Sequence, residues 1–263
     1  MTDSAAYLAL YDQQLRTDAE TPSALHVQML STLRLVTFAG GQGFITYPRF
    51  DGSETIPLAD LVAPALEYFK AQPQITSVEF KTRGHDIAPG LDRQLVAHGF
   101  IAQEPESIMI GPLESLVSEE PTPPGVELRS ITSEADVIAM STMLSEVFEE
   151  PYDPRIAQSL SARLATKDGM QLWVASVNGR MVGAGRLEPV RGTQFVGLWG
   201  GGVLKEFRSR GIYRALTSIR AKSAVDSGYK YVHSDSTEYS RPILERNGLL
   251  KVSTTTPYEW KRP

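Results

Sequence analysis

The chain of 263 residues has no cysteine. Disulfides, thiolate metal sites and a cysteine nucleophile are therefore excluded, and any acyl transfer must proceed without a cysteinyl thioester. Histidine is scarce too: His26, His85, His98 and His233 are scattered with no metal-ligand spacing, so no metal is expected. No apolar run approaches the ~20 residues that span a bilayer. The opening Met1-Thr2-Asp3-Ser4 has neither the basic nor the apolar region of a secretion signal. A cytoplasmic protein with no membrane contact is the expectation. The net charge of −5 argues against a general nucleic-acid binder.

What is present is an ordinary soluble composition, 41% hydrophobic and 22% charged, in a chain long enough for two domains. The stretch Ser118-Glu119-Glu120-Pro121-Thr122-Pro123-Pro124-Gly125 has no apolar periodicity, and its prolines fit neither a helix interior nor a central strand. It is read as a linker at 118–125 between domains at 1–117 and 126–263.

After the linker the pattern is regular. Val126 to Arg129 is strand-like, and Ser133-x-x-Asp136 is an acidic variant of the capping box that opens a helix reaching about Phe148. A second helix, about Pro154 to Ala165, follows the acidic loop Glu149-Glu150-Pro151-Tyr152-Asp153. Strands at 171–177 and 181–187 flank Asn178-Gly179, a strong two-residue hairpin signal. A further strand at 194–203, a helix at 212–227, a strand at 231–235, a short helix near 241–246 and a last strand at 251–260 give the order βααβββαβαβ.

Positive charge is local. Residues 201 to 230 hold Lys205, Arg208, Arg210, Arg214, Arg220, Lys222 and Lys230 against Glu206 and Asp226 alone. The strip suits a small polyanion better than a duplex, which needs a wide basic face. Within it, Val203-Leu204-Lys205-Glu206-Phe207-Arg208-Ser209-Arg210-Gly211-Ile212-Tyr213-Arg214 joins a strand to a helix through a small basic turn. A helix start leaves its first amides without backbone partners and carries roughly half a positive charge, so an anion fits there. Glycine at 211 permits a positive φ or close approach of a ligand. Gly200-Gly201-Gly202 just upstream permits a bulge and approach of another backbone. The run lacks the Gly-Lys-Ser/Thr of a P-loop and the glycine spacing of a dinucleotide fold.

Arg208-x-x-Gly211-x-Tyr213 resembles the Arg/Gln-x-x-Gly-x-Gly/Ala signature of the GNAT superfamily of N-acetyltransferases, with tyrosine at the last small position. The resemblance covers about Pro124 to Lys261. It is supported by Arg246-Asn247-Gly248-Leu249, which is similar to the Gly-Phe corner of such domains with leucine for phenylalanine. It implies that acetyl-CoA is the cosubstrate. Val203 and Leu204 would hold the acetyl carbonyl and pantetheine amides, and Ser209, Arg210, Gly211, Ile212, Tyr213 and Arg214, with Arg208, would hold the pyrophosphate. Acetyl would pass directly to the amine of a small molecule. A CoA-binding pseudoenzyme or sensor is the alternative, prompted by Tyr213 and Leu244, and a protein-interaction module is a third reading.

The first half repeats the second imperfectly: helices near 3–16, 58–71 and 91–98, with strands at 44–47, 77–81 and 101–110. The implied fold is α/β (α+β), with two tandem GNAT-like modules, each a mixed, mostly antiparallel sheet flanked by helices, similar in arrangement to mycothiol synthase. The first module has Asp51-Gly52-Ser53-Glu54 where a basic cradle would stand, so no cofactor is expected there.

For proton transfer the family often has a tyrosine acid at the position of Leu244, so Tyr239, with Ser240 beside it, is the nearest replacement. Glu188, held extended by Pro189, is the candidate base. Glu149, Glu150 and Asp153 suit a cationic acceptor, with Tyr152 and Trp199 as pocket linings. Either a monomer or a homodimer is compatible with these features.

Overall fold

The computed structural model describes residues 3–263; Met1 and Thr2, the start of the opening tested above for signal character, lie outside the described residues. In chain order the elements are α1 (Asp3–Gln14), β1 (His26–Leu30), β2 (Leu33–Phe38), β3 (Gln42–Thr46), α2 (Val62–Lys70), β4 (Ser77–Arg83), α3 (Leu91–Ala97), β5 (Ile101–Ala102) and β6 (Glu106–Pro112). These are followed by β7 (Val126–Ile131), α4 (Glu134–Phe148), α5 (Pro154–Ala165), β8 (Gln171–Val177), β9 (Arg180–Pro189), β10 (Phe195–Val203), α6 (Ile212–Asp226), β11 (Tyr231–Ser236), α7 (Arg241–Arg246) and β12 (Leu250–Lys261). They form two compact units. The first holds the chain up to Met109 together with Asp235–Glu245 and Leu250–Pro263, and the second holds Ile110–Ser234 and Arg246–Leu249.

In the first unit β1, β2 and β3 form an antiparallel meander, β3 and β4 are parallel, and β12 is antiparallel to β4. Along β4 the alternation is clean: Val78 and Phe80 are buried in the core, while Glu79, Lys81 and Arg83 share the other face. The core side is closed by α2, whose Val62, Ala65, Leu66 and Phe69 recur at three- and four-residue spacing. On the ionic side Arg83 pairs with Glu20 and donates to Thr46 Oγ1 at 3.0 Å. Arg16, just beyond α1, binds Asp86 at 2.8 Å and Asp12 at 3.1 Å and donates to the Tyr47 and Pro48 carbonyls. These guanidiniums are buried, so each carboxylate is needed; losing one partner of a buried pair costs about 3–5 kcal/mol.

The second unit is a meander of β7, β8, β9 and β10, with β11 parallel to β10. Its turns follow the expected chemistry. Asn178 and Gly179 both have positive φ, 50° and 76°, as a tight hairpin requires. Ser133 Oγ accepts from the Asp136 amide at 3.2 Å to start α4, and Asp153 caps α5 with Pro154 in its first turn. Val137, Met140, Leu172, Val174, Val182 and Leu216 build the core. No helix among the described residues is long and apolar enough to cross a membrane.

Three features differ from the sequence reading. The hairpin of β1 and β2 was not expected. The strand expected at 101–110 is split into β5 and β6 around Gln103-Glu104-Pro105, because proline cannot donate to a ladder. The last strand, allotted by sequence to a domain at 126–263, pairs with β4 from Thr255↔Arg83 to Lys261↔Ser77 and puts Trp260 into the first core. Strand pairing at such separation leaves no local trace. Trp260→Ala should therefore destabilise the first unit by about 3–5 kcal/mol. The expected readout is faster amide hydrogen exchange in β4 with β8 and β9 unchanged.

Candidate active site

β10 changes character along its length. Its ladder with β11 covers Phe195, Val196 and Gly197 and then stops, although β10 runs on to Val203. On its other edge the register with β9 passes from Trp199↔Arg186 to Gly202↔Ala184, so Gly200 and Gly201 together face Gly185. This is the bulge that the three glycines made possible, with Gly200 at φ 55°. Among the described residues the ladder with β11 does not continue along the far half of β10, where Val203 O accepts from the Arg208 side chain.

Beyond β10 the chain turns through a single 3-10 turn, Lys205–Phe207, into α6. Ser209 (φ 62°) and Gly211 (φ 78°) are both left-handed. For serine that conformation costs about 1–2 kcal/mol, and it turns successive amides toward one side. Among the described residues none of the amides of Ser209, Arg210, Gly211, Ile212, Tyr213 and Arg214 donates a hydrogen bond, whereas Ala215 N donates to Gly211 O as the first helical bond. Six consecutive donors beside a helix start are chemically suited to a polyanion.

The cationic side chains around this turn divide into different roles. Arg208 curls back and donates from Nε to Val203 O at 3.1 Å, fixing the turn. Arg214 is paired with Glu120 of the linker, and Arg210 lies 5.1 Å from the Phe207 ring with no ion pair among the described residues. Tyr213 turns its ring onto Gly201, where a Cβ would stand 3.1 Å from it, and leaves only its amide at the turn. The linker adopts neither helix nor strand; Ser118 N donates to Ser218 Oγ at 2.8 Å, and Pro123 touches the Gly211 Cα side.

Arg220, counted by sequence with the basic strip, contributes nothing to it. It is 1% exposed, and its guanidinium donates to Leu216 O (2.9 Å), Arg186 O (3.0 Å) and Thr217 Oγ1 (3.3 Å). Burial without a carboxylate pushes it down to about 10. Gly185 makes the room: a Cβ there would lie 2.4 Å from Nη1. This buried bridge holds α6 to β9 and so positions the amide turn. Only the glycine opposite an arginine hinted at it in the sequence.

The corresponding loop of the first unit is closed to anions. Asp51 N and Gly52 N donate to the Glu54 carboxylate at 3.1 and 3.0 Å, and Ser53 N donates to Asp51 Oδ1 at 3.0 Å. The chain's own carboxylates occupy those amides.

The catalytic candidates stand in different surroundings. Glu188 is held by Arg163 at 2.5 Å and Arg186 at 3.4 Å with its side chain 15% exposed. The two guanidiniums engage the carboxylate and tie the end of β9 to α5. Tyr239 is 92% exposed and falls with the residues of the first unit, with no hydrogen bond among the described residues to orient its phenol. Leu244 is buried. In the α4–α5 loop Asp153 is occupied as a helix cap bonded to Arg155, while Glu149, Glu150 and Tyr152 are exposed, the two glutamates without an ion pair among the described residues. Trp199 folds over Gly197 and stands edge-on to His233 at 5.2 Å.

Residues 137–248 match the model of the Acetyltransferase (GNAT) family. No curated protein matches the chain by sequence. Among solved structures it is similar to a GCN5-related N-acetyltransferase from Kribbella flavida (TM-score 0.65, 15% identity, 98% of this chain and 96% of that one). It is also similar to a GCN5-related N-acetyltransferase from Sphaerobacter thermophilus (0.62, 19%, 88% and 76%). A third is a tandem GNAT protein from the clavulanic acid biosynthesis pathway (0.63, 14%, 88% and 79%). At these identities the likeness is one of fold.

Glu188→Gln should lower kcat less than tenfold and reduce thermal stability, as loss of an ion-pair anchor would. A fall of about 10²–10⁴ with stability retained would restore its role as a base.

Proposed function

We propose that this protein transfers acetyl from acetyl-CoA directly to the amine of a small molecule, with the GNAT domain as the catalytic half and the first unit as a degenerate module of the same ancestry. The observation that supports this most is the set of six unpaired amides from Ser209 to Arg214 beside the parting strands. The amides hold the pyrophosphate, with Arg210 as the cation free to join them. By the resemblance the thioester end would run beside Val203, whose amide would oppose the charge that develops on the carbonyl oxygen; the Leu204 amide donates to Val182 O at 2.9 Å and is not free for that part.

The amine nitrogen attacks the thioester carbon, the C–S bond breaks, and the thiolate leaves. A thiol of pKa about 8.5 departs without a dedicated acid, which accords with an unheld Tyr239 and a buried Leu244. The proton lost by the amine passes to water or to the exposed carboxylates Glu149 and Glu150, whose charge favours a cationic acceptor. The first unit's loop, filled by Asp51 and Glu54, supports a supporting role for that half rather than a second cofactor site. The reading of a CoA-binding sensor is favoured by the absence of an oriented acid and shares the same cofactor turn.

Gly211→Glu should abolish acetyl-CoA binding by calorimetry, since it puts an anion at the amides and a side chain at φ 78°, with the far-ultraviolet circular dichroism retained. Unchanged affinity in that folded variant overturns the site. For the native protein, thiol release across a panel of amines separates enzyme from sensor: binding without turnover on any acceptor supports the sensor.

A further inference from the structure

β1 is an edge strand: it pairs with β2 on one side and with nothing on the other among the described residues. Edge strands are usually protected by charge, proline or a bulge, because their unpaired amides and carbonyls recruit other strands. The outer strand of the second unit's sheet is protected in this way, since β7 carries Glu127 and Arg129. The sequence of β1, His26-Val27-Gln28-Met29-Leu30, has no charged residue, no proline and no bulge in its register. Leu25, Val27 and Met29 point to one face and are 70%, 38% and 52% exposed. Phe38 and Phe44, half-buried with ring centroids 6.1 Å apart, extend that apolar face across β2 and β3. The Gln28 side-chain amide donates to the Met29 carbonyl at 2.9 Å, a local bond that substitutes for a strand partner.

We propose that β1 is the dimer interface of this protein, pairing antiparallel with β1 of a second copy about a two-fold axis through Gln28. The occupant is argued from charge and symmetry. Two copies of a chain carrying −5 each repel, and a two-fold axis sets like residues near like, so a self-pairing strand has to be uncharged. Of the two outer strands β1 meets that condition and β7 does not. Centring on Gln28 sets Val27 opposite Met29 of the partner subunit, twice, with all four side chains on one face. This is the cross-strand apolar pairing that stabilises antiparallel ladders. His26 then faces Leu30 of the partner subunit without charge conflict at neutral pH. A five-residue ladder with a small apolar face is well below the area of a permanent dimer, so a reversible dimer is expected.

Sedimentation equilibrium of the native chain across micromolar to hundreds of micromolar concentrations should show mass rising from 28.9 kDa toward twice that value. The double variant Val27→Lys/Met29→Lys should stay at the monomer mass with acetyl-CoA affinity unchanged, and the β7 control Glu127→Ser should dimerise like the native chain. Because the chain has no cysteine, a second arm is clean. Gln28→Cys should form a covalent dimer under mild oxidation far faster than Glu127→Cys, since only the former places two thiols across the axis. A native chain that remains monomeric throughout overturns the proposal. So does a lysine variant that still dimerises, or equal cross-linking of the two cysteine variants.

Discussion

An amide without an acceptor is costly in a protein interior and useful at a surface, and the turn from Ser209 to Arg214 is where this chain keeps six of them. Everything around that turn has the effect of keeping them unpaired. Ser209 and Gly211 take left-handed conformations that aim the donors outward, and Arg208 spends its guanidinium on Val203 O instead of filling the site. Tyr213 lays its ring on Gly201, away from the turn. The position of the helix itself is set from below by Arg220, whose buried guanidinium spans from Leu216 O to Arg186 O over a glycine. On the proposed reading, a turn held by that buried bridge would meet an anion with little reorganisation.

The two units use the same topology with opposite electrostatics. Each has a meander followed by a parallel strand, β3 with β4 in one and β10 with β11 in the other. In the second unit the parallel pair is short and β10 runs on past it. In the first the parallel pair spans Gln42 to Ile45, four residues of a five-residue strand, and the loop before α2 binds its own carboxylates. The polar face of β4 is filled by ion pairs among Arg16, Asp12, Asp86, Arg83 and Glu20. On that face of the first unit these charges are bound to one another.

Much of the second unit was legible from local signals. Asn178-Gly179, Ser133-x-x-Asp136 and Asp153-Pro154 each fix a backbone conformation through their own chemistry, so the structure agrees with them closely. The bulge at Gly200-Gly201 and the free amides after Ser209 were legible for the same reason. The surroundings of Glu188 and Tyr239 were not. Whether a carboxylate is a base or half of an ion pair depends on Arg163, 25 residues away, and whether a phenol is an acid depends on something holding it, which Tyr239 lacks. The hairpin of β1 and β2 escaped notice because β1 is exposed on both faces and so shows no alternation between core and solvent.

The sequence by itself determined the turns, the caps, the glycine-rich strand and the helix start after Gly211, because each depends on φ preferences and hydrogen-bonding capacity within a few residues. Only the tertiary structure decided that β12 pairs with β4, that Arg220 is buried rather than displayed, and that Arg214 answers to Glu120. Those outcomes depend on which distant segments come together, and neither the free energy of a strand pairing nor that of a buried charge is encoded in the neighbours of the residue that makes it.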